Sequence, residues 1–177
     1  MTPVGHTLTG LAIGILATPR EWPARRQVAA LPAFALLANA PDFPIPYWGH
    51  HRYLISHSVF STCVGVVLLA GIVRLYAGGR IPWHLYVGEA LAWYSHLLLD
   101  SFYNHGRGIR VYWPFGDGRW RLPIPWFSIM QREPLFGRHN RRVWLIEAVA
   151  YGTLLTVTLV ASRYFPRRQT HTTRHEG

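Results

Sequence analysis

Imidazoles and carboxylates stand in this chain where an apolar sequence should have neither. In the stretch Ser95-His96-Leu97-Leu98-Leu99-Asp100 a histidine and an aspartate sit four residues apart among leucines. On an α-helix that spacing puts both side chains on one face, one turn apart, where they can reach one ion or two adjacent ones. Glu89 and Trp93 carry the same stripe toward the helix start. Burying such groups is costly unless they are paired, protonated or bound to metal. Two explanations follow, a metal site or an internal His–Asp hydrogen bond that braces a helix bundle.

Three more stretches carry the same residue types: Gly5-His6-Thr7-Leu8, Ala40-Pro41-Asp42, and the run from His50 and His51 through Arg52 to His57 and Ser58. The single cysteine, Cys63, excludes an internal disulfide and a Cys-based zinc cluster, so any metal must be held by His and carboxylate. A set of His6, Asp42, His51, His57, His96 and Asp100 suits a divalent metal, zinc first and manganese or iron next, with a position left open for water. Two ions sharing Asp42 or Asp100 would acidify a bridging water and clamp both oxygens of a phosphoester or amide displacement.

The elements that must position these residues are apolar segments, at roughly 4–17, 27–40, 58–77, 83–103 and 143–165. The last three reach the ~20 residues that cross a bilayer core and are expected to be transmembrane helices. The first two are shorter, and could form a tilted hairpin, a partly inserted pair or helices packed inside the bundle. Pro19 and Pro23 make the turn between them, and Pro32 is expected to kink the second. The fold class is therefore all-α, an integral membrane bundle of about four to five helices with a long ordered loop before the last. Residues 1–165 form one domain, and 166–177 a polar, disordered tail. The N-terminus lacks a basic stretch, and His6 and Gly10 interrupt its apolar run, so residues 4–17 are expected to belong to the mature fold.

Half of the 177 residues are hydrophobic and 14% are aromatic, which favours a membrane protein. Its 18 basic residues are all Arg, and the net charge of +10 favours anionic headgroups or phosphates as neighbours. If the five segments alternate across the membrane, one face collects His6, Asp42, His50, His51, His57, His96, Asp100, His105 and His139. His84 and the tail histidines fall on the other. Arginines divide equally between the faces, so the positive-inside rule does not orient the chain. The 105–142 loop is rich in Trp, Tyr, Pro and Arg, and is read either as a lid at headgroup depth or as an ordered surface loop.

At this point the sequence resembles the membrane-bound metal-dependent hydrolases of bacteria, also described as LexA-binding, inner-membrane-associated hydrolases. The resemblance covers most of residues 4–147. It rests on Ser95-His96 through Asp100, on Trp113-Pro114 and on Arg119-Trp120-Arg121-Leu122-Pro123, in that order. Gly5-His6, Pro41-Asp42, His51-Arg52 and His57-Ser58 match the family's other motifs, and Glu147 matches a late glutamate. The resemblance implies a bacterial inner-membrane location and a metal-activated water acting on an ester or phosphoester, with Glu147 or Glu89 as an outer partner of the site. It also implies a distant likeness to zinc-dependent phospholipase C. Two departures stand out. Pro44 replaces the family's second acid, and the His-Arg to His interval is one residue longer, so either His51 or His50 is the ligand.

Arg52 could hold a substrate phosphate or anchor a lipid headgroup. Membrane lipids and a phosphate-containing or lipid substrate are thus the expected partners. A non-catalytic scaffold or sensor that binds a protein partner through its Arg-rich loop is the competing reading. Bis-histidine haem ligation by His57 and His96 is a third, opposed by the accompanying aspartates. Direct nucleic-acid binding is not expected, because the arginines are spread over both faces.

Overall fold

The computed structural model describes residues 1–43, 54–77, 81–103, 108–131 and 134–164. Among these the chain forms five α-helices, α1 (Pro3–Ala17), α2 (Ala24–Asn39), α3 (Val59–Ala77), α4 (Trp83–Ser101) and α5 (Arg138–Tyr164). Two 3-10 turns, Ala40–Asp42 and Leu54–His57, lie on either side of residues outside the described set. The architecture is all-α. His50, His51, Arg52, Pro44, His105 and the tail after Tyr164 fall outside the described residues.

α1 and α4 are the inner helices. α1 packs on α2, α4 and α5, while α4 packs on α1, α2 and α3. Helices in lipid gain little from expelling water between them and associate through close packing of small residues. The α1–α2 contact follows that rule. A Cβ at Gly10 would lie 2.6 Å from the Phe34 carbonyl oxygen, a backbone atom that cannot move aside. Ala17, Phe34, Leu85 and Ala92 form one buried cluster where α1, α2 and α4 meet.

α3 and α5 are long and apolar enough to cross a membrane. Almost none of α3 is buried inside the protein, and Val64, Val67, Leu68, Ile72 and Leu75 all face outward. Apolar helices that are not core helices need a hydrocarbon solvent, and the bilayer supplies it. α4 has the length of a spanning helix, and nine of its residues, His96 and Asp100 among them, are buried against neighbours. α5 begins five residues before the expected apolar start at Val143. Its first turn is polar, and the buried Asn140 organises it by bonding the Gln131 backbone N–H (2.8 Å) and the carbonyls of Gln131, Pro134 and Leu135. α2 runs through Pro32 as one helix.

The described part of the loop before α5 is ordered without regular structure. Ile109 and Trp120 form an isolated antiparallel bridge, and Gly108 takes a positive φ of 75° to enter it, a conformation in which a Cβ would be strained. Ile109 and Val111 pack on Leu97 of α4. Phe127 stacks between Tyr103 and Tyr151, at 5.0 and 5.9 Å between ring centroids, and ties the loop to α4 and α5.

Candidate metal centre

The side chains of the site come from four elements. His96 and Asp100 come from the last turns of α4, on the stripe that helical spacing dictates. His57 ends the 3-10 turn that leads into α3, and Ser58 caps that helix by accepting from the Ser61 N–H at 3.0 Å. Asp42 ends the 3-10 turn after α2. His6 lies in α1, whose N-cap is Thr2 followed by Pro3 at the first helical position.

Four of these residues converge. Donor atoms of Asp42, His57, His96 and Asp100 all lie within 4.8 Å of one another. The Nε2 atoms of His57 and His96 are 3.2 Å apart. Asp100 Oδ2 is 3.4 Å from His57 Nε2 and 3.5 Å from His96 Nε2. Asp42 Oδ1 is 3.4 Å from His57 Nε2 and 3.7 Å from His96 Nε2. These separations are mostly long for hydrogen bonds, which centre near ~2.9 Å. They match the roughly 3.3 Å edge of a tetrahedron whose ligands sit about 2.0–2.1 Å from a central zinc.

The protonation pattern fits the same reading. His96 Nδ1 lies 2.8 Å from the Ala38 carbonyl oxygen, which can only accept, so the ring proton belongs on Nδ1. In the neutral ring the Nε2 lone pair would point into the cluster, as a metal ligand requires. His57 Nδ1 is likewise engaged by Ser56 Oγ at 2.9 Å. Asp100 Oδ2, fully buried, has no hydrogen bond of its own. Burial alone would push the His57 pKa down, but the carboxylates of Asp100 and Asp42 outweigh it and hold it above the ordinary histidine value. Two imidazoles and two carboxylates that each need a cation at the same point are a donor set suited to a divalent metal.

His6 stands beside this group. Its ring stacks on His96, with centroids 3.8 Å apart and planes 10° from parallel, and its Nε2 faces the other oxygen of Asp100 at 3.4 Å. The Met1 amino group reaches the same Oδ1 at 2.9 Å. Asp100 therefore serves both sides. Asp42 is the member that reaches the surface, with its side chain 24% exposed against 0–3% for His57, His96 and Asp100. A cleft of about 320 Å³ lined by Pro3, Thr7, Asn39 and Phe43 opens at Asp42. In it Asn39 Nδ2 donates to Thr7 Oγ1 at 3.1 Å.

Glu147 lies one layer away. Its carboxylate accepts from the Thr2 backbone N–H, at 3.1 and 3.3 Å, and from the Thr2 hydroxyl. It thereby anchors the start of α1, and with it His6. Glu89 is half-buried on α4, and His139 bonds the Ile129 carbonyl; neither joins the four converging donors. The edge-to-face approach of His57 and His96, with two aspartates around them, differs from the facing imidazoles of bis-histidine haem ligation. Thr2, Ser56 and the Ala38 carbonyl are supports that the sequence reading missed. Only Thr2 had a local signal, as a Thr-Pro pair opening an apolar helix.

Thr2→Val should separate support from ligation. It keeps the shape but removes both the cap and one partner of buried Glu147, which should cost about 1–3 kcal/mol. Thermal unfolding in detergent should show the loss, while metal content at saturating metal stays unchanged.

A helical protein with two outward-facing apolar helices and a buried His/Asp cluster is a membrane-embedded bundle built around a polar centre. The family is identified by a match over residues 1–165 to the YdjM inner membrane protein family, and the chain belongs to that family. It is an inner-membrane protein. No curated protein and no solved structure matches the chain.

Proposed function

We propose that this protein is a metal-dependent hydrolase of the inner membrane, acting on an ester or phosphoester at the membrane surface. What carries the reading is the convergence of Asp42, His57, His96 and Asp100 at tetrahedral-edge separations in a buried cluster whose Asp42 side chain is partly exposed. A divalent metal held by these residues, zinc first and manganese next, would supply an acidified water and a Lewis acid for the substrate oxygen. The protein's own part is positional. The Ala38 carbonyl and Ser56 orient the two imidazoles. Asp100 balances charge on both sides of the site, and Glu147 acts through Thr2 on α1. The Asp42 cleft admits the substrate, with Arg52 as the residue assigned to a phosphate.

The test is turnover by protein reconstituted in vesicles with zinc or manganese, offered chromogenic phosphodiester, phosphomonoester and carboxylic ester substrates. Hydrolysis is expected with at least one class, falling about 100-fold or more when a chelator strips the metal and returning when metal is restored. Stoichiometric metal with no turnover of any class would overturn the enzymatic reading and leave a metal-stabilised scaffold that binds a partner through its Arg-rich loop.

A further inference from the structure

The first turns of α5 carry charge that the described residues do not answer. Arg138, Arg141 and Arg142 are exposed and bonded to no described carboxylate, whereas Arg110 in the preceding loop is held by Asp117 at 3.1 Å. Residues three and four apart share a helix face, so the three arginines stand together. The same spacing runs on from Arg141 and Arg142 to Leu145, 65% exposed, and then to Val149, 61% exposed. Buried Asn140, Val143, Glu147 and Tyr151 mark the opposite side of the helix. The arginines therefore top its outward, apolar stripe.

The length of α5 shows what meets them. Twenty residues lie between Arg142 and Arg163, and their one charged side chain, Glu147, is buried against Thr2. Twenty helical residues rise ~30 Å, the thickness of a hydrocarbon core. Seated in that register, α5 holds Arg163 and Tyr164 in one headgroup layer and Arg138, Arg141 and Arg142 in the other. Leu135 and Phe136 are exposed beside the arginines, and Phe136 meets Trp144 edge-on at 5.3 Å between ring centroids. Aromatic and basic side chains at the end of an apolar span are what the boundary between lipid and water selects.

We infer that Arg138, Arg141 and Arg142 form a binding site for the phosphate of an anionic membrane phospholipid. A guanidinium fork takes a phosphate in two parallel hydrogen bonds. A zwitterionic headgroup would bring an ammonium to three unanswered cations, so the cluster selects a lipid of net negative charge. The lipid's acyl chains would lie along Leu145 and Val149, which a soluble phosphate has no means to use. None of the metal donors takes part, and the site is independent of the hydrolase reading.

Full-length protein in vesicles of phosphatidylethanolamine and phosphatidylglycerol, with a trace of either lipid carrying a headgroup diazirine, tests the site by photolabelling and peptide mapping. Labelling of residues 134–145 by the phosphatidylglycerol probe should exceed that by the phosphatidylethanolamine probe about tenfold, well inside the roughly fivefold that each basic residue gains at an anionic surface. Arg138→Gln, Arg141→Gln and Arg142→Gln together should erase the preference while the helical signal stays. Arg25→Gln, Arg74→Gln and Arg163→Gln together remove the same charge from the other end of the bundle, beyond a screening length of ~10 Å, and should leave the preference intact. If the first triple variant fails to fold, Arg141→Gln and Arg142→Gln singly should each lower the preference about twofold. Equal labelling by the two probes, an equal loss in the opposite-end variant, or displacement of the label by millimolar inorganic phosphate would each overturn the proposal.

Discussion

Replacing His96 with alanine is expected to remove metal from the protein while leaving it folded. His96 Nε2 is within 3.2–3.7 Å of His57, Asp100 and Asp42, so it touches every other member of the group. Losing even an outer partner of a ligand costs about 10–100-fold in metal affinity, and losing the ligand itself should cost more. Near one ion per chain in the wild type should fall below about a tenth at the same free metal. The structural cost is smaller. One hydrogen bond to the Ala38 carbonyl disappears, worth about 1 kcal/mol, and the His6 ring loses its stacking partner. Elemental mass spectrometry beside circular dichroism reads both effects. Unchanged metal content with intact helicity would place the metal elsewhere, and no metal in either protein would leave the histidines as structural hydrogen-bonding groups.

The two aspartates should fail in opposite ways. Asp100 is fully buried and faces His6, His57, His96 and the Met1 amine within 2.9–3.5 Å. Asp100→Asn removes the one charge that balances all of them, and an uncompensated buried cation costs about 3–5 kcal/mol. That is a large share of the roughly 5–15 kcal/mol that holds a domain together. The variant should unfold early or fail to accumulate. Asp42 sits at the open side, where water can reach an uncharged replacement. Asp42→Asn should change stability by less than about 1 kcal/mol in the absence of metal, yet lower metal affinity by about 100-fold or more. Thermal unfolding with and without zinc separates the two. Equal destabilisation by both variants would mean that Asp42 is a structural counter-ion and that the cleft beside it is not the way in.

Some of this was legible in the residues alone. The all-α architecture follows from the lengths of the apolar runs, and four helices both begin and end within three residues of the expected positions. The membrane location follows because a surface as apolar as α3 has no other solvent. The pairing of His96 with Asp100 follows from helix geometry, since residues four apart on one helix must share a face. The donor class, imidazole and carboxylate, follows from a chain with a single cysteine. Residue types and spacing along one element are properties of the chain itself.

Tertiary structure decided the rest. It alone separates His6, stacked beside the group, from Asp42 and His57 within it, and it alone joins Thr2 to Glu147 across 145 residues of sequence. It also sets the His96 tautomer through a carbonyl 58 residues away. α4 read like α3 and α5 in the sequence, yet it is a helix the others pack against, because length and apolar content do not reveal which helix will be buried. α5 began earlier than its apolar run because Asn140 draws its polar first turn from carbonyls of the preceding loop. The physical reason is common to all of these. A helix determines what lies within a turn or two along its own axis, whereas contacts between helices depend on how closely small residues such as Gly10 let their backbones approach.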